Sequence, residues 1–500
     1  MPPPSKKPFL PPTSYTRQFE PAAPAAPAPA RPAAGAHAGE TGWLPDLVYT
    51  GDTFEEGLAF FADPLGRITR FSREPADLAA ARRLPGQAAM PGLVNVHSIS
   101  WQRALRGRTE QVARNVEPIA GAREAATALA QRLTPEDIFE TARMVFTEML
   151  LAGITCVGEF HELQNRPDGT AWPEPHLVAD QVLRAAREAG IRIALFNVAT
   201  LRGGHGQAPE TAPARVRAAS IDAFLRETEA LRAAVAGSLP ADEAWIGVAP
   251  ESLARVPVDA FKAIGTYAHA QRLRVQTRVA RSAEDVAACV AEYGRGPVAV
   301  LAEHGLIDKR LTVLHGNQLS AEDSKLLGTA RAAVGVCPLS EQNLALAAAP
   351  VEALLAAGAG VVLGSESQGQ VDLLREARAL EYGLRVAQGR RPVVAADAAR
   401  TLFTAATVTG ARSLGATGGA LEVGRPADFF TVNLYDPSIA GADPETLLAS
   451  LVFGLERRAV KEVWIGARQR ITGGRHPNQG PIVGKFVEMQ RRLWGKPATP

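Results

Sequence analysis

MPGLVNVHSIS, residues 90–100, is a largely apolar run that ends on His97, with Ile99 two positions further. A histidine that closes a buried strand is a frequent metal ligand. Such a ligand normally has a second histidine two residues on, because alternate residues of a strand share a face. Ile99 occupies that place. The run therefore carries two messages, a buried strand with chemistry at its end and an incomplete ligand pair.

Seven more runs have the same form: ITCVGEF (154–160), IRIALFNVA (191–199), WIGVAPES (245–252), RVQTRVA (274–280), LTVLHGN (311–317), VGVCPLS (334–340) and VVLGSES (361–367). Helical patterns separate them. In one, Thr134 and Pro135 suit N-cap and first-turn positions, Ile138, Ala142, Val145, Phe146, Met149 and Leu150 form one apolar stripe, and Gly153 stops the run. Eight strand-and-helix units predict a (β/α)8 TIM barrel. A doubly wound sheet also alternates strands and helices, but gives no reason for polar residues at nearly every strand end. Here His97, Glu159, His161, Asn197, Glu251, Arg278, His315, Ser340 and Glu366 stand at those ends, and a barrel gathers them at one mouth.

The flanks read differently. Residues 1–41 are Pro- and Ala-rich without periodicity, which predicts a disordered tail containing His37. DLVYTG, GLAFFAD and GRITRFS within 42–90, and GRPADFFTVNL and VKEVWIGARQRITGG within 413–475, show strand-and-turn patterns. They predict one small accessory β-sandwich built from both ends, with the barrel over 91–412 and a helix and tail over 476–500. Cys156, Cys289 and Cys337 form no CxxC pair and read as small core residues. The 54 Lys and Arg nearly balance 52 Asp and Glu, so no nucleic-acid surface is indicated. No apolar run is long enough to span a membrane, and the opening MPPPSKKPFLPP has no signal-peptide character. We expect a cytoplasmic protein with a small-molecule partner.

An ordered set of segments carries a family resemblance: LPGQAAMPGLVNVHSISWQRALRGRTE, GEFHELQNRPDGT, RGGHGQAP, GVAPESL, VLHGNQLS, CPLSEQNLA, GSESQGQVDLLREARALEYGLR and LEVGRPADFFTVNLYDP. The chain resembles the amidohydrolase superfamily, and within it formimidoylglutamate deiminases, from about residue 42 to 490. The resemblance implies a metal-bearing barrel, an accessory β-sandwich, a homodimer, and hydrolysis of a C–N bond by a zinc-activated water.

The family pattern draws its ligands from H-x-H on the first strand, a histidine on the fifth and an aspartate on the eighth. Here His97 survives from the first pair and Ile99 replaces its partner. Arg278 falls at the fifth-strand ligand and Arg281 at the glutamate that moves protons. A guanidinium has no lone pair to give and does not shuttle protons at neutral pH. Glu366 keeps a carboxylate at the aspartate position, and His315 matches the histidine that polarises water or the developing anion. The resemblance further puts Gln102 and Arg103 along the substrate pocket, Arg215 at a substrate carboxylate, Glu251 where the deiminases carry another histidine, and Glu162 where they carry tyrosine.

These replacements lead us to expect no cofactor, with zinc bound only if the site has been rebuilt. The first expectation is a pseudoenzyme or small-anion-binding protein whose Arg278 and Arg281 favour a carboxylate-bearing ligand. In it Arg278 pairs with Glu366, helped by hydrogen bonds from His97 or Ser367. The alternative is an active C–N hydrolase, with a metal held by His97, His315, Glu366 and either Glu251 or His161, or with a metal-free mechanism. His205 and His304 are expected at the surface.

Overall fold

The computed structural model describes residues 39–110 and 117–495. Most of the Pro/Ala tail, including His37, and the last five residues lie outside the described residues.

The chain opens with five strands: β1 (Thr41–Tyr49), β2 (Phe54–Glu56), β3 (Ala59–Ala62), β4 (Ile68–Ser72) and β5 (Arg82–Pro91). Eight more follow: β6 (Leu93–Ser98), β7 (Ile154–His161), β8 (Arg192–Ala199), β9 (Ala244–Pro250), β10 (Val275–Val279), β11 (Leu311–His315), β12 (Ala333–Val336) and β13 (Gly360–Leu363). Late in the chain come β14 (Phe429–Asn433), β15 (Val460–Ile465) and β16 (Arg468–Ile471). Strands β6 to β13 form one sheet in sequence order, parallel throughout. All eight are strands anticipated from the apolar runs.

The sheet closes on itself by a parallel bridge between Ser98 and Glu366. At this seam the His97 carbonyl accepts the N–H groups of Ser365 and Glu366 at 2.9 Å, and Ile99 donates to the Glu366 carbonyl at 2.9 Å. The backbones approach closely because residue 364 is glycine: a Cβ there would lie 2.8 Å from His97 Cβ and 2.9 Å from Cys337 Sγ. Barrel closure thus brings the end of the first strand beside the end of the eighth.

Helix 135–151 shows how the connections are specified. Thr134 and Asp137 form a reciprocal capping box, Pro135 opens the first turn, and the six residues of the stripe are buried. Burial of each of its larger apolar side chains contributes roughly 1.5–3 kcal/mol. Gly153, at φ +79°, turns the chain into β7.

The terminal strands build a second eight-stranded sheet, in the order β16-β15-β14-β5-β1-β3-β4 with β2 on β1. Its centre is aromatic: Trp43 lies 5.3 Å from Phe60, 5.2 Å from Phe429 and 5.2 Å from Trp464, ring to ring. The three cysteines are buried and free. Among the described residues, no helix is long and apolar enough to cross a membrane.

Candidate functional site

A cavity of about 610 Å³ lies over the C-terminal ends of the barrel strands, where active sites of this architecture are built. Glu366 lines it, and Glu366, His97 and His315 place ligand-type atoms within 4.8 Å of one another, all buried. Two of them sit on unusual backbone. His315, the last residue of β11, has φ +72°, and Glu366, three residues beyond β13, has φ +39°. A side-chain-bearing residue in this region is held there by its surroundings, and such positions gather at functional sites.

The three residues are unequally engaged. Among the described residues, His97 has no hydrogen-bond partner at either ring nitrogen. Burial, aided by the nearby Arg278, His315 and Arg281, outweighs the pull of Glu366 and keeps its imidazole neutral. His315 Nδ1 lies 3.3 Å from Glu341 Oε1, and its Nε2 lies 3.4 Å from Glu366 Oε1. Glu341 itself is fixed by the Cys337 N–H at 3.0 Å. Glu366 faces Arg281, whose Nη2 is 2.9 Å from Oε1 and 3.3 Å from Oε2. Burial alone would protonate this carboxyl, but Arg281, then His315 and His97, hold it well below the usual range.

The expected pairing of Arg278 with Glu366 is corrected here. Arg278 reaches Glu162 at 3.0 Å and Glu251 at 3.3 Å, and its guanidinium lies over the Phe160 ring at 4.6 Å. Glu251 in turn accepts from the Thr200 hydroxyl at 2.6 Å and has Arg255 at 3.7 Å. Two carboxylates on β7 and β9 loops outbid one at the barrel seam, and Arg278 stays firmly charged despite burial. The helpers named for Glu366 are also elsewhere. The Ser367 hydroxyl bonds Ser340 at 2.9 Å, and the hydrogen bond between His97 and Glu366 runs from the Glu366 N–H to the His97 carbonyl.

Other anticipated residues divide into two groups. Gln102, Arg215, Glu251, Arg278, Arg281 and Glu366 line the cavity. Arg103 does not; Glu148 holds it at 2.9 Å beside Arg106, which is the arginine of that segment on the cavity wall. His161 is buried, with burial pushing its imidazole down to about 4, and it is not part of the His97–His315–Glu366 group. His205 is a second correction. It lines the cavity, its side chain is only 9% exposed, and Nδ1 lies 2.6 Å from Glu292, which Arg202 grips at 2.7 and 2.8 Å. Glu341 and Glu292 were missed in the sequence; Glu341 stands inside the quoted CPLSEQNLA, whereas nothing local marks Glu292.

Arg215 is a buried cation of the cavity with no carboxylate partner among the described residues. It is 1% exposed, its Nη2 donates to the Leu133 carbonyl at 2.8 Å, and its Nε and Nη1 have no partner among the described residues. Burial lowers its pKa to about 10, so it still carries its charge at neutral pH.

Comparison with known proteins agrees with this architecture. Residues 88–475 match the amidohydrolase family. The chain is 31% identical over 425 residues to a formimidoylglutamate deiminase of Pseudomonas aeruginosa, spanning 84% of this chain and 92% of that one. It is 25% identical to a 5-methylthioadenosine/S-adenosylhomocysteine deaminase of Teredinibacter turnerae, over 86% and 91% of the two chains. Among solved structures, an amidohydrolase from Brucella melitensis superposes with a TM-score of 0.84 at 27% identity, covering 91% of this chain and 99% of that one. A zinc-bound adenosine deaminase from Xanthomonas campestris, at 22% identity and a TM-score of 0.77 over 91% and 98%, shares the fold. With its closed parallel barrel, its sheet of both termini and a family match over most of its length, the chain belongs to the amidohydrolase family.

Proposed function

We propose that this protein is a small-anion-binding amidohydrolase barrel in which an internal ion-pair network replaces the hydrolytic zinc. The observation that carries the reading is Arg215. A buried guanidinium with two unpaired N–H-bearing nitrogens is costly unless an anion completes it. A carboxylate fits its planar fork best. The ligand is therefore a small carboxylate-bearing molecule, and formimidoylglutamate, named by the Pseudomonas relative, is the first to try.

On this reading the residues do not fit the zinc of the family. A catalytic zinc takes about three protein donors plus an open position for water. Three donors converge here, but Arg281 already holds both oxygens of Glu366. A dication among them would stand beside a guanidinium. Ile99 and Arg278 supply no donor at the two vacated ligand positions, and Arg281 stands where a proton-shuttling glutamate is required.

Calorimetric titration with formimidoylglutamate and with glutamate tests the proposal. Saturable binding that is lost in Arg215→Ala is expected, without ammonia release. Rapid zinc-dependent turnover would overturn it and favour a second reading, a rebuilt C–N hydrolase. That second reading has its own support in the convergence of His97, His315 and Glu366. It requires Arg281 to leave Glu366, and turnover to vanish in His315→Ala.

A further inference from the structure

A second cavity, of about 310 Å³, lies beneath the N-terminal ends of β8 and β9, between the barrel floor and the terminal sheet. Five arginines line it, Arg67, Arg187, Arg192, Arg468 and Arg470, against two carboxylates, Asp242 and Glu243. Arg192 is fully occupied by Asp428, at 2.7 and 3.0 Å, and by Asp242 at 3.2 Å. Arg468 has Glu243 at 3.5 Å. Among the described residues, the Arg67 side chain bonds only a carbonyl, that of Gly424, at 3.3 Å.

Arg187 and Arg470 have neither a hydrogen bond nor a carboxylate partner among the described residues. The Nε of Arg470 is buried and unbonded. Burial, and then repulsion from Arg468, lower its pKa from the ordinary value. Its guanidinium is packed against Gly190, where a Cβ would come within 2.7 Å of Nε and 2.8 Å of Cζ. Gly190, at φ +83°, thus ends helix 177–189 and also clears space for the guanidinium. Three cations from three separate elements line the cavity with no ion pair to a carboxylate among the described residues, although Glu243 and Asp428 are near enough to Arg470 to pull its pKa back up: Arg67 from the β3–β4 turn, Arg187 from that helix and Arg470 from β16.

We infer that this cavity binds a phosphate-bearing small molecule, which ties the barrel floor to the terminal sheet. A planar carboxylate is satisfied by one guanidinium fork, whereas a tetrahedral phosphate accepts hydrogen bonds from several directions at once. Leu183, Leu239, Pro64 and Pro240 give the cavity an apolar side for the rest of the molecule. The N-terminal face of such a barrel sets stability and not catalysis. The bound anion therefore stabilises the protein by mass action on the folded state, and the site is independent of the cavity that contains Arg215.

Pyrophosphate is the probe, titrated calorimetrically and in thermal unfolding, with KCl controls at equal ionic strength. The expected result is saturable binding and a rise in Tm that KCl does not reproduce. Arg187→Glu and Arg470→Gln should each weaken binding about tenfold or more, and Arg215→Ala should leave it unchanged. Arg187 is exposed, so its replacement leaves the packing intact and a loss of binding reports the site itself. Absence of saturable binding at millimolar pyrophosphate, a rise in Tm matched by KCl, or binding lost in Arg215→Ala but kept in Arg187→Glu would overturn the inference.

Discussion

Arg281 and Glu366, 85 residues apart in the chain, meet at the barrel seam with guanidinium and carboxylate 2.9 Å apart. Glu366 is 3% exposed, so its carboxylate is met inside the protein by this guanidinium. A buried ion pair adds little over an apolar packing of the same volume, but losing one partner leaves an uncompensated charge.

Arg281→Ala should therefore destabilise the fold by about 3–5 kcal/mol, read as a fall in the midpoint of denaturant unfolding. Arg281→Lys should recover part of that loss, because it restores the charge without the fork. A loss under about 1 kcal/mol for the alanine variant would mean that the Glu366 charge does not depend on this guanidinium.

Protein expressed with zinc and purified without chelator should carry well below one zinc per chain by elemental analysis. Ile99→His combined with Arg278→His should bind more zinc than the sum of the single variants, because both positions serve one ion. Equal metal content in the double and single variants would remove the argument that these positions once shared a site.

Arg215→Met should leave the ligand-free protein as stable or more so, by up to about 3 kcal/mol, because it removes a buried charge with no counterion. The same change should abolish binding of a carboxylate ligand. Stabilisation with loss of binding is the signature of a residue kept for function. Marked destabilisation of the ligand-free protein would instead assign Arg215 to the scaffold through its bond to the Leu133 carbonyl.

Glu159 supplies a pH test. It is buried, and burial raises its pKa to about 7 against donation from the hydroxyls of Ser100 and Ser98 and the Ser100 N–H. With its folded value above its unfolded one, the unfolded chain gives up the proton first as pH rises. Stability from this group is complete below about pH 4 and is lost progressively up to about pH 7, by about 3 kcal/mol in all. Unfolding free energies measured across pH 4–8 should show this fall, and Glu159→Gln should remove it. An identical slope in the variant would place the titration elsewhere.

The sequence alone determined the barrel, because apolar runs of strand length followed by polar residues are a local record of which residues face the core and which end at the mouth. MPGLVNVH and VVLGSES became adjacent strands of a closed sheet, and Thr134, Pro135 and Gly153 bounded their helix as their chemistry dictates. Ligand-type residues at strand ends were legible for the same reason, whereas Ile99, Arg278 and Arg281 stood out only through the family resemblance. Only the tertiary structure decided the pairings. Arg278 and Arg281 are three residues apart, separated by Ala280 at φ +50°. That turn sends one guanidinium to Glu162 and Glu251 and the other to Glu366. His205 met Glu292, 87 residues away, for a similar reason. Ion pairs between loops depend on backbone turns and on which carboxylates are near enough to compete, and neither is written in the spacing of residues along one strand.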